Sequence, residues 1–188
     1  MIQRTAPALL RGGLKLAVAL AAAVVMLLLS LAGAHVSRTR TLRADTMTIP
    51  IPADIGADEH WVDVNLSQEV TTAMDGPNAV RVIYVTTGMP GWETPTGTFH
   101  VLRRVEDETM KSDSLGIPID SPDGYDLEHV MYTQYFTNMG HALHDNYWRP
   151  DSVFGSQATS HGCVGMELGD AKFLWDFLSM HSRIVIHY

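Results

Sequence analysis

Beyond residue 60, the hydrophobic positions follow the short alternating pattern of β-strands. Apolar and polar residues alternate from Trp61 to Leu66, and β-branched residues are frequent from Ala79 to Thr86. Further strands are predicted between turns rich in Gly, Pro, Asp and Ser, at residues 98–105, 130–136, 140–144 and 184–186. Residues 107–126 are rich in turn residues and are predicted to form a long loop that closes over a cleft.

One helix is predicted near the C-terminus. Apolar residues recur there at helical spacing, at Phe173, Leu174, Phe177 and Leu178, and Asp170 is a candidate N-cap. The elements together predict a mainly β fold, a β-sandwich or partly closed barrel with one C-terminal helix.

The N-terminus has a different pattern. Basic residues including Arg11 and Lys15 precede an apolar run from Leu16 to Leu29, which small residues continue to Ala34. This layout is typical of a secretory signal, but the run approaches the roughly 20 residues of a membrane-spanning helix. The rest of the chain is therefore predicted to work outside the cytoplasm.

Three regions follow from these patterns. Residues 1–37 are predicted to be an apolar helix that serves as a signal peptide or membrane anchor, and 38–59 a linker with Pro50 and Pro52. Residues 60–188 are predicted to be a single folded domain, because the chain is too short for two domains that each bury a sizeable hydrophobic core.

The charge distribution bears on partners. The net charge is -8, and every Asp and Glu lies beyond Arg43. Nucleic-acid binding needs a basic face, so an acidic exported domain argues against a nucleic-acid partner.

The chain has a single cysteine, Cys163, so no intrachain disulfide is possible. Such a thiol is an intermolecular bridge, an inert buried residue or a nucleophile. The local sequence Ser160-His161-Gly162-Cys163, with His144 nineteen residues before the cysteine, favours a nucleophile. A thiol needs a base within hydrogen-bond reach, and His144 suits that role if its strand lies beside the Cys163 turn.

Neighbouring residues suggest supporting roles. The N–H groups of Gly162 and Cys163 could face an oxyanion, and Asp145 or a backbone carbonyl could fix the tautomer of His144. A structural zinc site usually has four ligands and several cysteines, so no metal site is predicted. The remaining histidines lack partner spacing and are interpreted as ordinary surface or core residues: His35, His60, His100, His129, His141, His181 and His187.

These motifs resemble the signature of the L,D-transpeptidase (YkuD-type) catalytic domain. The signature is a histidine, fifteen intervening residues, and Ser-His-Gly-Cys, which here runs from His144 to Cys163. The resemblance extends over about residues 61–188 and includes four further segments: 86–88, 94–99, 144–155 and 170–178.

The resemblance implies a two-step acyl transfer on peptidoglycan stem peptides, without a cofactor. Cys163 would attack the carbonyl at stem position three, expel D-alanine, and pass the acyl group to an amine, giving a 3–3 cross-link or a protein attachment. His144 would activate Cys163, and a carbapenem would acylate the same thiol. The resemblance further implies that Ser160, His161 and Gly162 shape the turn and that Trp148 lines the pocket and contacts substrate. Asp145, Tyr132 and Gly165 are further predicted substrate contacts.

One position departs from the family pattern. Gly165 stands where the family usually has Asn or Arg, a residue that generally makes a polar contact beside the nucleophile. This departure leaves open a wall-binding or scaffold domain without turnover. Another cysteine acyltransferase or an amidase is a further alternative, although a sortase-like site would need an arginine partner, and Arg149 and Arg183 have no fitting context.

Overall fold

The computed structural model describes residues 49–188. Within this range nine strands form a continuous sheet in the order β4-β9-β1-β2-β3-β8-β7-β6-β5. The strands are β1 (His60–Asn65), β2 (Val70–Asp75), β3 (Asn78–Thr86), β4 (Gly97–His100), β5 (Arg103–Lys111), β6 (Asp126–Tyr135), β7 (Ala142–Asp145), β8 (Val164–Met166) and β9 (Arg183–His187). Two 3-10 turns, Ser112–Leu115 and Asp151–Val153, and one α-helix, α1 (Leu168–Phe177), complete the described part.

The long strand β3 connects the two halves of the sheet. It pairs with β2 along most of its length, and its last residues pair with β8, where Thr86 lies opposite Gly165. Most neighbouring strands are antiparallel, but β1 runs parallel to β9 and β7 runs parallel to β8. The sheet curls into a half-barrel, which confirms the predicted mainly β fold with a C-terminal helix.

The core lies on the side of the sheet that α1 covers. Leu174 of α1 is fully buried and packs in one cluster with strand residues such as Val62, Val85 and Leu143. Burying a leucine side chain contributes roughly 2 kcal/mol, so this layer holds the helix against the strands.

The predicted strand at 98–105 was wrong, because the chain forms two strands there. Strand β4 pairs with β9, whereas β5 pairs with β6. The change of partner falls at Val101 and Leu102, whose N–H groups donate to Ser182 and Tyr135 respectively. Strand β5 also continues to Lys111, so the predicted loop at 107–126 is shorter than expected.

Two strands were missed, for different reasons. All but the last residue of β2 are buried, so the strand shows no alternation between apolar and polar residues. Strand β8 is only three residues long. Asp170 was also wrongly predicted as the helix N-cap: Glu167 holds that position, and the Asp170 carboxylate pairs with Arg81 instead.

The predicted signal or anchor segment and the first part of the predicted linker lie outside the described residues. Within residues 49–188, no helix is long and apolar enough to span a membrane. The described part of the linker region contacts β9: Arg183 bonds Asp54 at 2.8 Å and Glu59 at 3.0 Å.

Candidate active site

Strand pairing brings the predicted nucleophile and base together. His144 lies in β7, and Cys163 immediately precedes β8. These two strands are parallel neighbours, and His144 is opposite Gly165, two residues beyond the cysteine. With strands about 4.8 Å apart and about 3.3 Å per residue, the two Cα atoms are separated by about 8 Å, within reach of both side chains.

Both side chains line one cavity of about 870 Å³. Trp148, Ser160 and His161 also line it, so most of the predicted site residues are brought together. The cavity wall carries charged groups of both signs: Arg103, Glu108, Lys111, Asp123 and Arg149. Within residues 49–188, no cluster of His, Cys, Asp or Glu side chains is suited to a metal ion.

His144 is held as a neutral imidazole. Its Nδ1 bonds the backbone carbonyl of Asp145, which can only accept, so Nδ1 carries the proton and Nε2 is the acceptor. The Trp148 ring stacks on the imidazole, with centroids 5.8 Å apart and planes 19° apart. Burial lowers the pKa of His144 to about 4, so the neutral form persists at physiological pH. Such an imidazole can accept a proton as a base.

Cys163 is held as a neutral thiol. Its Sγ lies 3.6 Å from the carbonyl oxygen of Gly140, an acceptor for the S–H. Burial raises the pKa of Cys163 to about 11, and the backbone N–H of Ala142 opposes that rise only in part. The resting pair is therefore thiol and imidazole, and not a preformed ion pair.

The turn before Cys163 is fixed by Ser160. The Ser160 hydroxyl donates to the Cys163 carbonyl at 2.6 Å and accepts from the Gly162 N–H at 3.1 Å. Gly162 has φ +106°, and a Cβ there would lie 2.6 Å from a ring carbon of His141. Only glycine fits this position. Because Ser160 engages the Gly162 N–H, that group is not free for the predicted oxyanion role, which leaves the Cys163 N–H as the candidate donor.

The loop after β5 borders the cavity. Tyr125, at its end, lies 5.4 Å from His161 between ring centroids, and Trp92 contacts the same imidazole edge-on at 4.9 Å. Burial lowers the pKa of His161, and its Nε2 is buried without a hydrogen-bond partner in the described part of the chain. The loop thus lies where the sequence predicted it, and its closing movement stays a prediction.

Two predicted substrate contacts are corrected by the structure. Tyr132 does not line the cavity: its ring packs against Trp175 of α1, with centroids 5.8 Å apart. The Asp145 carboxylate is buried and accepts from the Met131 N–H at 2.8 Å, so only its backbone carbonyl serves the site. Asp145 follows His144 in a strand, and consecutive side chains point to opposite faces.

Other cavity residues were missed by the sequence analysis. Tyr135 lines the cavity and donates to Glu108 at 2.8 Å, while Arg103 lies 3.9 Å above its ring. Tyr135 and Tyr132 are three positions apart in β6, which is consistent with opposite faces of the sheet. His141, interpreted as an ordinary residue, also lines the cavity, where Thr137 bonds its Nδ1 at 2.9 Å. The alternation of β6 could have indicated Tyr135, but no local pattern indicates His141.

The last predicted contact, Gly165, is covered by a neighbouring side chain. A Cβ on Gly165 would lie 2.3 Å from Nδ2 of Asn146. The carboxamide of Asn146 therefore lies where a side chain at position 165 would be, and Asn146 also lines the cavity.

The fold and the cavity that Cys163 and His144 line can now be compared with known protein families. A sequence profile of the L,D-transpeptidase catalytic domain (YkuD) matches residues 59–186. The chain belongs to this family, an acyltransferase class of enzyme.

Individual relatives agree with this assignment. Probable L,D-transpeptidase 3 of Mycobacterium tuberculosis is 32% identical over 99 residues, which cover 53% of this chain and 36% of that protein. L,D-transpeptidase 1 of the same species is 28% identical over 122 residues, covering 65% and 48% of the two chains. This chain thus spans half or less of the length of these curated relatives.

Solved structures share the fold. An LD transpeptidase in complex with imipenem superimposes with a TM-score of 0.66 at 26% identity, covering 69% of this chain and 59% of that one. An L,D-transpeptidase from Mycobacterium smegmatis gives a TM-score of 0.64 at the same 26% identity, again covering 69% of this chain and 59% of the other.

Proposed function

We propose that this chain is an L,D-transpeptidase that acts on peptidoglycan stem peptides outside the cytoplasm, with Cys163 as nucleophile and His144 as base. The observation that carries the proposal is the shared cavity, which is lined both by a neutral imidazole of fixed tautomer and by the chain's single cysteine. Membership of the family supports the reaction class.

In the first step Cys163 Sγ attacks the carbonyl carbon at position three of a donor stem tetrapeptide. Nε2 of His144 takes the thiol proton as the S–C bond forms, because the neutral resting pair holds no thiolate in advance. The negative charge that develops on the carbonyl oxygen is stabilised by the Cys163 N–H. The C–N bond to D-alanine then breaks, and the imidazolium returns its proton to the leaving amine.

In the second step an amine attacks the thioester. His144 accepts a proton from the attacking amine, the C–S bond breaks, and the thiol is regenerated. The new amide is a 3–3 cross-link when the amine belongs to a neighbouring stem, or an attachment to a protein. Charged residues of both signs on the wall, such as Arg103 and Glu108, suit a peptide substrate that carries both amines and carboxylates.

Trp148 and Tyr125 both line the cavity. Trp148 holds the imidazole plane by stacking, and the predicted closure of the loop that carries Tyr125 would limit the access of water to the thioester. Since a relative has been solved with imipenem, we expect a carbapenem to acylate Cys163 in this chain as well.

The proposal is tested by incubating the full-length chain with a disaccharide-tetrapeptide donor and an amine acceptor. Amine-dependent cross-linked product, absent from Cys163→Ala, is the expected result. Hydrolysis of the donor without amine transfer would indicate an amidase, and binding without any product would indicate a scaffold domain.

A further inference from the structure

The inference concerns Asn146 and the space above Gly165. Gly165 is the cross-strand neighbour of His144, so position 165 faces the same side of the sheet as the catalytic imidazole. A Cβ built on Gly165 would lie 2.3 Å from Nδ2 of Asn146 and 3.0 Å from its Cγ. The carboxamide of Asn146 therefore occupies the volume in which a side chain at position 165 would lie.

The side-chain acceptor of Asn146 is not engaged by the fold. The residue is 2% exposed, and its Oδ1 is buried without a hydrogen-bond partner within residues 49–188. The bond that fixes this part of the chain comes from the backbone, where the Asn146 N–H donates to the Met166 carbonyl at 2.8 Å. Buried polar groups in folded proteins are nearly always paired, so an unpaired carboxamide oxygen at a cavity wall indicates a partner that arrives with the substrate.

The chemistry of the side chain defines that partner. A carboxamide offers one acceptor and two donors in one plane, which matches the N–H and C=O of a peptide group. Asn146 lines the same cavity as Cys163 and His144, so such a peptide group would lie beside the reacting carbonyl.

We propose that Asn146 is a donor-binding residue whose carboxamide holds a peptide group of the donor stem beside the carbonyl that Cys163 attacks. This role rests on the proposed transpeptidase function. Gly165 is then the residue that makes room, since any larger side chain at 165 would displace the carboxamide.

The first test compares Asn146→Ala with the wild-type full-length chain in three measurements. Acylation by the tetrapeptide donor should slow about tenfold to a hundredfold, the loss expected for one or two hydrogen bonds. Alkylation of Cys163 by iodoacetamide should stay within about twofold, because the thiol and His144 are unchanged. The unfolding temperature should not fall, because the substitution removes an unpaired buried acceptor.

A control and a reciprocal swap sharpen the test. Asn65→Ala removes a carboxamide with a structural bond, Oδ1 to the Gln68 N–H at 3.0 Å, and should leave acylation unchanged. Asn146→Gly should be slow, and Asn146→Gly with Gly165→Asn returns a carboxamide to the same volume and should recover most of the lost rate. A double variant no faster than Asn146→Gly would overturn the inference.

The same measurements distinguish a failure of the Asn146 role from a failure of the proposed function. Equal acylation of wild type and Asn146→Ala, or an equal loss of acylation and alkylation, would refute the role of Asn146 alone. A folded wild-type protein that is alkylated but never acylated by the donor would refute the proposed function and this inference with it.

Discussion

The neutral resting state of the Cys163–His144 pair makes a sharp prediction about pH. Burial raises the pKa of Cys163 from 9.0 to about 11. At pH 7 this change lowers the thiolate population about a hundredfold relative to an unperturbed thiol. A more basic thiolate is also more nucleophilic, by about tenfold over this range, so the net rate with a small electrophile should be about tenfold below that of a reference peptide thiol.

The assay is alkylation by iodoacetamide followed by intact mass, which reports one site because the chain has one cysteine. The rate constant should rise about tenfold per pH unit between pH 6 and 9, without a plateau. A preformed thiolate–imidazolium pair would instead give a flat profile across neutral pH. A plateau between about pH 5 and 8 would therefore refute the neutral resting state.

His144→Gln separates the base from the resting thiol. Because His144 does not hold a thiolate in advance, the variant should alkylate within about twofold of wild type at pH 8. Acylation by the donor should fall about a hundredfold to ten-thousandfold, the usual contribution of a general base. An equal loss in both reactions would contradict this separation.

Three further variants test the turn before Cys163, the hydrogen bonds of Glu69 to Thr87, and the loop that carries Tyr125. Gly162→Ala should lower the free energy of unfolding in urea by about 1–3 kcal/mol, because Gly162 has a positive φ and an added Cβ would clash with His141. A decrease below about 0.5 kcal/mol would contradict the argument that a side chain is strained at this position. Glu69→Ala should lower the free energy of unfolding by about 2 kcal/mol or more, because the Glu69 carboxylate accepts from both the N–H and the hydroxyl of Thr87 at 2.7 Å. An unchanged urea unfolding curve would contradict this structural role of Glu69. Tyr125→Ala should raise the KM for the donor about threefold to tenfold with little change in kcat, as expected for loss of one aromatic contact, whereas an unchanged KM would exclude a binding role for the loop.

The sequence predicted the central pair of the site because the motif and the strand pattern agreed. The Ser-His-Gly-Cys turn marked Cys163, and the strand signal before it marked His144. The two residues meet because β7 and β8 are neighbours, although β8 itself is too short to be recognised from its three residues.

The errors arose where long-range pairing decides which way a side chain faces. Tyr132 was expected in the cavity, but it lies three positions from Tyr135 in β6 and its ring packs against Trp175 of α1. The sequence of β6 does not show which of its two faces the helix covers. The relation between Asn146 and Gly165 was invisible for a similar reason, since Asn146 directly follows β7 and meets Gly165 only because β7 pairs with β8.

The most direct test of the proposed function is intact mass of the full-length chain after incubation with a disaccharide-tetrapeptide donor, beside Cys163→Ala. Wild-type protein should gain the mass of the donor minus D-alanine, and the variant should gain nothing. A correctly folded wild-type protein that forms no adduct with this donor or with a carbapenem would contradict the assignment of Cys163 as the acyl-accepting nucleophile.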